Sequence, residues 1–253
     1  MFDQKYLDTY IEGLTDSRTK NETDFLLTNS GIEKSDRILD LACGHGRHSI
    51  ELFSRGYRNI TGLDYSQTFI DKALIDATDV GAEIDFQEAD MKQMNYDSEF
   101  DVVVTIYTTL GYFDDETNID VLKRINKSLK PGGKFWMDNI RAESIATRFK
   151  TDGVIDGESG LPTITREVDM SGHMTSEIET YDSHKQLMHS HRQWTDKGDQ
   201  KEYDFWLRVY TEEQWDEMLQ KAGFKILKKW SDYDGIPFDT KESHGFVLLA
   251  KKV

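Results

Sequence analysis

A chain of 253 residues, 37% apolar and 11% aromatic, can bury a substantial core and is long enough for one large α/β domain with an insertion. Its formal charge of −16 repels phosphate backbones and anionic lipid surfaces, so neither nucleic acid nor a membrane is expected as a partner. The single cysteine, Cys43, excludes an internal disulfide framework. The N-terminal stretch carries acids and no signal-like apolar run, and no segment is apolar enough to span a bilayer, so a cytoplasmic location is expected.

Residues 1–30 read as helical, with Phe2, Tyr6 and Tyr10 at i, i+4 spacing and Phe25, Leu26 and Leu27 in a second helix. Strand and helix then alternate. The stretch RILDLA (37–42) reads as a buried strand, and GRHSIELFSRG as a helix stopped at Gly56. NITGLD (59–64) is a strand, followed by a helix with Ser66 as N-cap and Gly81 as its end. IDFQEAD (84–90) and the β-branched FDVVVTIYT (100–108) are the next strands, the second fit for a sheet centre. A helix opening at Asp114 or Asp115, a turn at Pro131-Gly132-Gly133 and a strand KFWMDN (134–139) complete five β units, which predicts a parallel sheet covered by helices on both faces.

The pattern changes after residue 150. A glycine-rich loop leads into alternating stretches between 163 and 210, broken by turn signals at Ser171-Gly172 and Asp196-Lys197-Gly198, which predicts a small antiparallel sheet. A helix with a capping box at Thr211 and Gln214 follows, ended by Gly223, and FKILKKW and HGFVLLAKK return as the last two strands of a seven-stranded main sheet. The expected organisation is an N-terminal helical lid (1–30), a doubly wound, mostly parallel Rossmann-like α/β domain (31–150 and 211–253), and an antiparallel β insertion (151–210) on the substrate side.

The first strand runs straight into Cys43-Gly44-His45-Gly46. Glycines let a ligand lie against the backbone, and the following helix offers free N–H groups. A dinucleotide fingerprint wants glycine where Ser49 stands, and no G-K-[ST] is present, so nicotinamide and P-loop chemistry are disfavoured. The second strand ends on Asp64, at the spacing from Gly44 where an acid accepts two ribose hydroxyls. The third ends near Asp90, whose carboxylate suits an exocyclic amine such as that of adenine. An adenosine without a diphosphate fits these features. Cys43, His45 and His48 lack the ligand set of a metal site, and nothing near Cys43 would activate it as a nucleophile, so no metal is expected.

In this setting ILDLACGHG, ITGLDYS, FQEADM, FDVVVTIYTTLGYF and LKPGGKFWMDN, in that order, resemble the class I S-adenosylmethionine-dependent methyltransferases. RVYTEEQWDEMLQKAGFKI resembles the C-terminal part of that fold, while residues 155–205 match least. The resemblance implies S-adenosyl-L-methionine as cofactor and S-adenosyl-L-homocysteine as product. It implies that Asp40, Gly44 and Gly46 shape the pocket for the methionine part and that the Ala42 carbonyl accepts its ammonium. Asp64 would hold the ribose, Tyr65 pack near the adenine, Asp90 and the Met91 N–H read the adenine edge, and Ile106 and Tyr107 lie beneath the sulfonium. Arg18, in a segment similar to the first helix of small-molecule members, would pair with the cofactor carboxylate.

TTLGYF looks like the corresponding segment of amine and amino-sugar N-methyltransferases. The expected function is methyl transfer to a small molecule, at an amine nitrogen ahead of a hydroxyl oxygen. A non-catalytic S-adenosylmethionine-binding regulator is the reading from another class. Tyr107 and Tyr112 are the candidate orienting residues, with Thr108 and Thr109 beside them, and no general base declares itself. Tyr6 and Tyr10 are candidate substrate-side lid residues. His189 and His191 share one strand face that reads as solvated, and Trp194, Trp206 and Tyr210 read as core of the insertion. A monomer or a homodimer is expected.

Overall fold

The computed structural model describes residues 14–170, 173–196 and 198–253. Helix α1 (Asp16–Ser30) precedes β1 (Ile38–Leu41), α2 (Arg47–Ser54), β2 (Ile60–Asp64), α3 (Gln67–Asp79), β3 (Asp85–Glu88), β4 (Phe100–Thr105), α4 (Asp115–Ser128) and β5 (Leu129–Ile140). The chain then forms α5 (Ala142–Asp152), β6 (Val154–Ile155), β7 (Pro162–Met170), β8 (His173–Asp182), β9 (Leu187–Asp196) and β10 (Asp199–Arg208), and closes with α6 (Glu212–Lys221), β11 (Phe224–Trp230) and β12 (Gly245–Lys252). Among the described residues no helix is long and apolar enough to cross a membrane.

The main sheet has seven strands in the order β11-β12-β5-β4-β1-β2-β3. β1 through β5 pair in parallel, and β12 runs antiparallel to both β5 and β11. Alternation along the central strands explains the two-sided core. Val103, Leu39 and Leu41 meet α4 and α6 through Leu122, Ile125 and Trp215, while Val102, Val104 and Ile38 meet α1 and α2 through Leu26 and Leu52. A fully buried Val or Leu contributes about 1.5–3 kcal/mol, so β4 with both faces covered is a main fixed point of the fold.

The caps fall where the sequence predicts them: Ser66 accepts from the Phe69 N–H, Asp114 from the Thr117 N–H, and Thr211 and Gln214 form a reciprocal capping box. Two local features differ. Pro131-Gly132-Gly133 is no separate turn but an irregularity inside β5: Phe100 pairs with Leu129 and Val102 already with Lys134. Gly132 supplies φ 77° for it, and a Cβ on Gly133 would stand 2.9 Å from the Lys130 carbonyl oxygen. Helix α5 was not legible as a helix. Its Ala142, Ile145 and Phe149 pack against Tyr181, Met188 and Leu207 of the second sheet, which gives it a face that its local pattern only weakly shows.

That second sheet has the order β10-β9-β8-β7-β6 and is antiparallel throughout. It is tied to the main sheet at the strand tips: the Arg208 N–H donates to the Gly111 carbonyl at 2.7 Å, and the Ala142 N–H to the Tyr210 carbonyl at 2.9 Å. Gly111 sits at φ 120°, and a Cβ there would stand 2.5 Å from the Arg208 carbonyl oxygen, so only glycine allows this approach. Trp194 is buried as expected; Tyr210 is buried too, but in the main core beside Trp215, and Trp206, on the edge strand β10 beside the cavity, is 54% exposed.

Candidate functional site

A cavity of about 700 Å³ lies over the carboxyl ends of β1, β2, β3 and β4 and continues beneath β9 and β10. This is where an open α/β sheet exposes the backbone, at the reversal of strand order between β1 and β4.

The floor is the turn after β1. Ala42, Gly44 and Gly46 take left-handed φ values of 57°, 57° and 77°. Glycine does this freely, whereas Ala42 bears roughly 1–2 kcal/mol. Gly44 lies on the cavity wall, with Phe69 the nearest neighbour, 3.7 Å from where a Cβ would stand. Gly46 is not on that wall. A Cβ there would meet Phe86 Cζ at 2.6 Å and Ala73 at 3.0 Å, so its bareness serves packing, not ligand approach. Asp40 and Ala42 do line the cavity.

Asp40 is buried and accepts from Ser49 Oγ at 2.7 Å. Burial pushes its carboxyl up to about 6, with Asp64 adding to the rise and Ser49 and Arg47 opposing it. Ser49, which stands where a dinucleotide site has glycine, therefore has work of its own. Asp64 is also buried. The Gly44 N–H donates to its Oδ2 and the Ser66 N–H to its Oδ1, both at 2.8 Å. Burial still raises this carboxyl above the usual range against those bonds. With about four lone-pair sites per carboxylate, each oxygen keeps capacity for one more donor.

Asp90 and Met91 lie on the wall beyond β3, with Asp90 Oδ1 accepting from the Lys92 N–H at 2.9 Å. Tyr65 also lines the cavity. Ile106 is buried at the end of β4 and faces the cavity. Tyr107 and Thr108 follow with φ 75° and 53°, an unusual pair of left-handed residues without glycine. One atom holds them: Asp138 Oδ1 accepts both their N–H groups at 2.8 Å, and Tyr233 Oη donates to Oδ2 at 2.8 Å. Burial raises the Asp138 carboxyl, and the two backbone donors counter it. Asp138 and Tyr233 are functional candidates that the sequence reading missed. The visible signal was an acid directly after the apolar run Phe135-Trp136-Met137. Tyr112 lines the cavity and packs on the second sheet; burial drives its phenol upward, so it stays protonated.

The structure does not place Arg18 on the cavity. Its Nε bonds Glu22 Oε1 at 2.8 Å and its guanidinium lies 4.8 Å from the Tyr107 ring centre. At the strand-tip end the cavity is lined instead by Arg47, the first residue of α2. Its Nη1 bonds Glu22 Oε2 at 2.6 Å and Thr19 Oγ1 at 3.0 Å, while its buried Nη2 has no hydrogen-bond partner among the described residues. Position alone could have pointed to it, since it follows the glycine turn directly. Tyr6 and Tyr10 lie outside the described residues. Cys43 is buried against the turn, and His48 donates to Glu22 through Nε2 at 2.9 Å. His189 and His191 share a face as expected, but they are half-buried and both bond Asp204 Oδ1, at 2.6 and 3.0 Å, so that face is not simply solvated.

Glu22 thus clamps α1 to α2. Burial would raise its pKa, but His48, Arg47 and Arg18 outweigh this and hold it at about 2 against the ordinary 4.5. Burial also lowers His48 to about 4. A depressed carboxylate contributes stability that is present above pH 4.5 and lost as pH falls through 2; for Glu22 this is about 3 kcal/mol. A depressed histidine acts in the same sense, losing its contribution between pH 6.5 and 4. Thermal melts from pH 7 to 3 are therefore expected to show a steep acid limb for the native chain. In Glu22→Gln the melting temperature should be lower at pH 7 and the acid limb flatter; equal slopes would contradict the clamp.

Comparison with known proteins agrees with this geometry. Residues 38–133 match the family model of a methyltransferase domain. A putative methyltransferase of Bacillus subtilis is 25% identical over 212 residues, covering 81% of this chain and 79% of the relative. The solved structure of an S-adenosylmethionine-dependent methyltransferase from Clostridium acetobutylicum superposes with a TM-score of 0.80 at 20% identity, covering 98% of this chain and 96% of the other. That of CalS10, an amino pentose methyltransferase from Micromonospora echinaspora, superposes with a TM-score of 0.66 at 17% identity, covering 100% and 98%.

Proposed function

We propose that this chain is a class I S-adenosylmethionine-dependent methyltransferase, as the methyltransferase-domain match over residues 38–133 supports, and that it moves the methyl group to the nitrogen of a small amine. The observation that carries this reading is the far half of the cavity. Beyond the strand tips the space is roofed by β9 and β10 and walled by Tyr112, Phe205 and Trp206 together with the carboxylates of Glu179 and Asp204. Aromatic faces and carboxylates favour a cationic amine, and a space closed by a sheet favours a small molecule over a folded protein or a nucleic acid. The amino pentose activity of one structural neighbour supports the same acceptor class.

The residues at the strand tips fit the cofactor. Asp64 has lone pairs left for two ribose hydroxyls, Asp90 and the Met91 backbone stand where an adenine edge would lie, and Gly44 leaves the backbone bare. Arg47, which lines the cavity where Arg18 does not, suits the carboxylate of the amino-acid tail better. When bound, the cofactor supplies an electrophilic methyl group on a sulfonium. The chain's own contribution is alignment and exclusion of water. Ile106 presents an apolar surface, the Tyr107–Thr108 backbone is pinned by Asp138, and Tyr112, kept protonated, closes the space towards the second sheet.

The reading is tested by incubating the full chain with methyl-labelled S-adenosylmethionine and a panel of small amines and alcohols. Label is expected in amines. Label confined to oxygen acceptors, or binding without any turnover, would overturn it. Arg47→Met is expected to weaken S-adenosylhomocysteine binding by about tenfold, the loss of one charge-assisted contact. The same variant should leave 5′-methylthioadenosine, which has no carboxylate, unchanged in calorimetry.

A further inference from the structure

The inner face of the second sheet has two unlike parts. Towards α5 it is apolar, built from Tyr181, Met188 and Leu207. Further along, the same face carries buried charge: Glu177 and Glu179 on β8 and Arg192 on β9, joined by Arg148 and Arg166. Burying ions where apolar side chains would pack equally well is unfavourable unless the charges are used. Both parts meet the cavity: Met188 and Leu207 of the apolar part and Glu179 and Arg192 of the charged part lie on its wall.

The charges there are not equally committed. Arg192 pairs with Glu177 and donates to Tyr203 Oη at 2.8 Å. Glu177 is off the cavity wall, between Arg166 and Arg192. Glu179 differs. It is 3% exposed, and both of its cationic partners, Arg148 at 2.8 Å and Arg166 at 3.4 Å, reach the same oxygen, Oε2. No hydrogen bond among the described residues reaches Oε1. On a buried side chain at a cavity wall, such a carboxylate oxygen keeps its acceptor capacity for whatever enters.

Resting on the amine reading above, we propose that Glu179 Oε1 anchors the acceptor, taking a hydrogen bond from an N–H of the amine while Phe205 and Tyr112 flank the apolar body of the molecule; the amine attacks as its neutral form, its lone pair making the N–C bond as the S–C bond breaks onto sulfur, and the ammonium so formed pairs with the Glu179 carboxylate. Arg148 and Arg166 fix the carboxylate from behind, so its orientation does not depend on the ligand. Glu179 is then the residue that separates an amine from an alcohol of equal shape.

The test uses the full chain saturated with S-adenosylhomocysteine and two matched pairs of probes: benzylamine with benzyl alcohol, and cyclohexylamine with cyclohexanol. Calorimetry is expected to show each amine binding at least ~10-fold tighter than its alcohol, as a charge-assisted bond in a desolvated site requires. E179Q should abolish that preference by weakening the amines alone, with S-adenosylhomocysteine affinity unchanged. E177Q, which disturbs the same ion network off the wall, and D204N, which removes the other acid on the wall, should keep it. A purely structural Glu179 would make E179Q and E177Q behave alike. Should E179Q fold poorly, Glu179→Asp withdraws the carboxylate by one methylene while keeping its charge for Arg148, and it should lose the preference too. The proposal is overturned if the native chain shows no amine preference, if E179Q and Glu179→Asp retain it, or if D204N is the variant that loses it. Labelled-methyl turnover separates the two readings: amines methylated equally by the native chain and E179Q would sink the anchor alone, whereas no amine methylated by either sinks the nitrogen acceptor.

Discussion

Asp64→Ala is expected to weaken S-adenosylhomocysteine binding by at least ~100-fold in calorimetry, because two hydrogen bonds to a charged acceptor are worth about 1.5–3 kcal/mol each. The substitution acts twice. It removes the acceptor for the ribose, and it orphans the Gly44 and Ser66 N–H groups, which both donate to this carboxylate at 2.8 Å. The turn after β1 is thereby released from the tip of β2, so a fall in melting temperature should accompany the loss of affinity. Asp64→Asn should rescue little. Each oxygen of Asp64 already accepts a backbone N–H, so an amide must point its own NH₂ at one of two donors. An affinity within threefold of the native value in Asp64→Ala would remove the basis for the cofactor site.

The second large effect is expected at Asp138. Asp138→Ala should reduce turnover by about 100-fold, the scale of an ångström-sized misplacement of reacting groups. Tyr107 and Thr108 hold strained left-handed φ values only because one carboxylate oxygen accepts both N–H groups. Without it, both residues relax towards ordinary conformations and the wall beside Ile106 moves. Asp138→Asn should be mild, within about fivefold in turnover, because the amide oxygen still accepts both N–H groups and Tyr233 can turn its hydroxyl to accept from the NH₂. Steady-state kinetics on the two variants, with S-adenosylhomocysteine affinity measured in parallel, separates this from a general loss of fold. If alanine and asparagine cost the same, the two-donor grip is not what matters.

Much of this molecule is written locally. Period-2 burial along β4, the Ser66, Asp114 and Thr211 caps, and the glycine turn after β1 are properties of short segments, and short segments are what a sequence displays. The residues that were missed act across long separations. Asp138 reaches back to Tyr107 and forward to Tyr233, and Arg47 is turned towards the cavity by Glu22 and Thr19 on a helix more than 20 residues earlier. Both Arg18 and Arg47 bond Glu22; what separates them is that Arg47 lines the cavity and Arg18 does not. Gly46 is the converse case. Its glycine was legible, but its reason, the ring of Phe86, lies on a strand 40 residues away. Helix α5 and Trp206 were obscured for a similar cause, since their environment is set by how the second sheet sits on the first.

The way that second sheet is fastened has an evolutionary consequence. It is spliced in after β5 and leaves before α6, with its backbone seams at Gly111–Arg208 and Ala142–Tyr210. Every side chain that β8, β9 and β10 send to the cavity therefore lies outside the stretch from Asp40 to Met91 that forms the strand-tip end. Drift along those three strands can reshape their end of the cavity while leaving the strand-tip end intact, so a lineage built on this plan can change one end of the cavity one hairpin at a time.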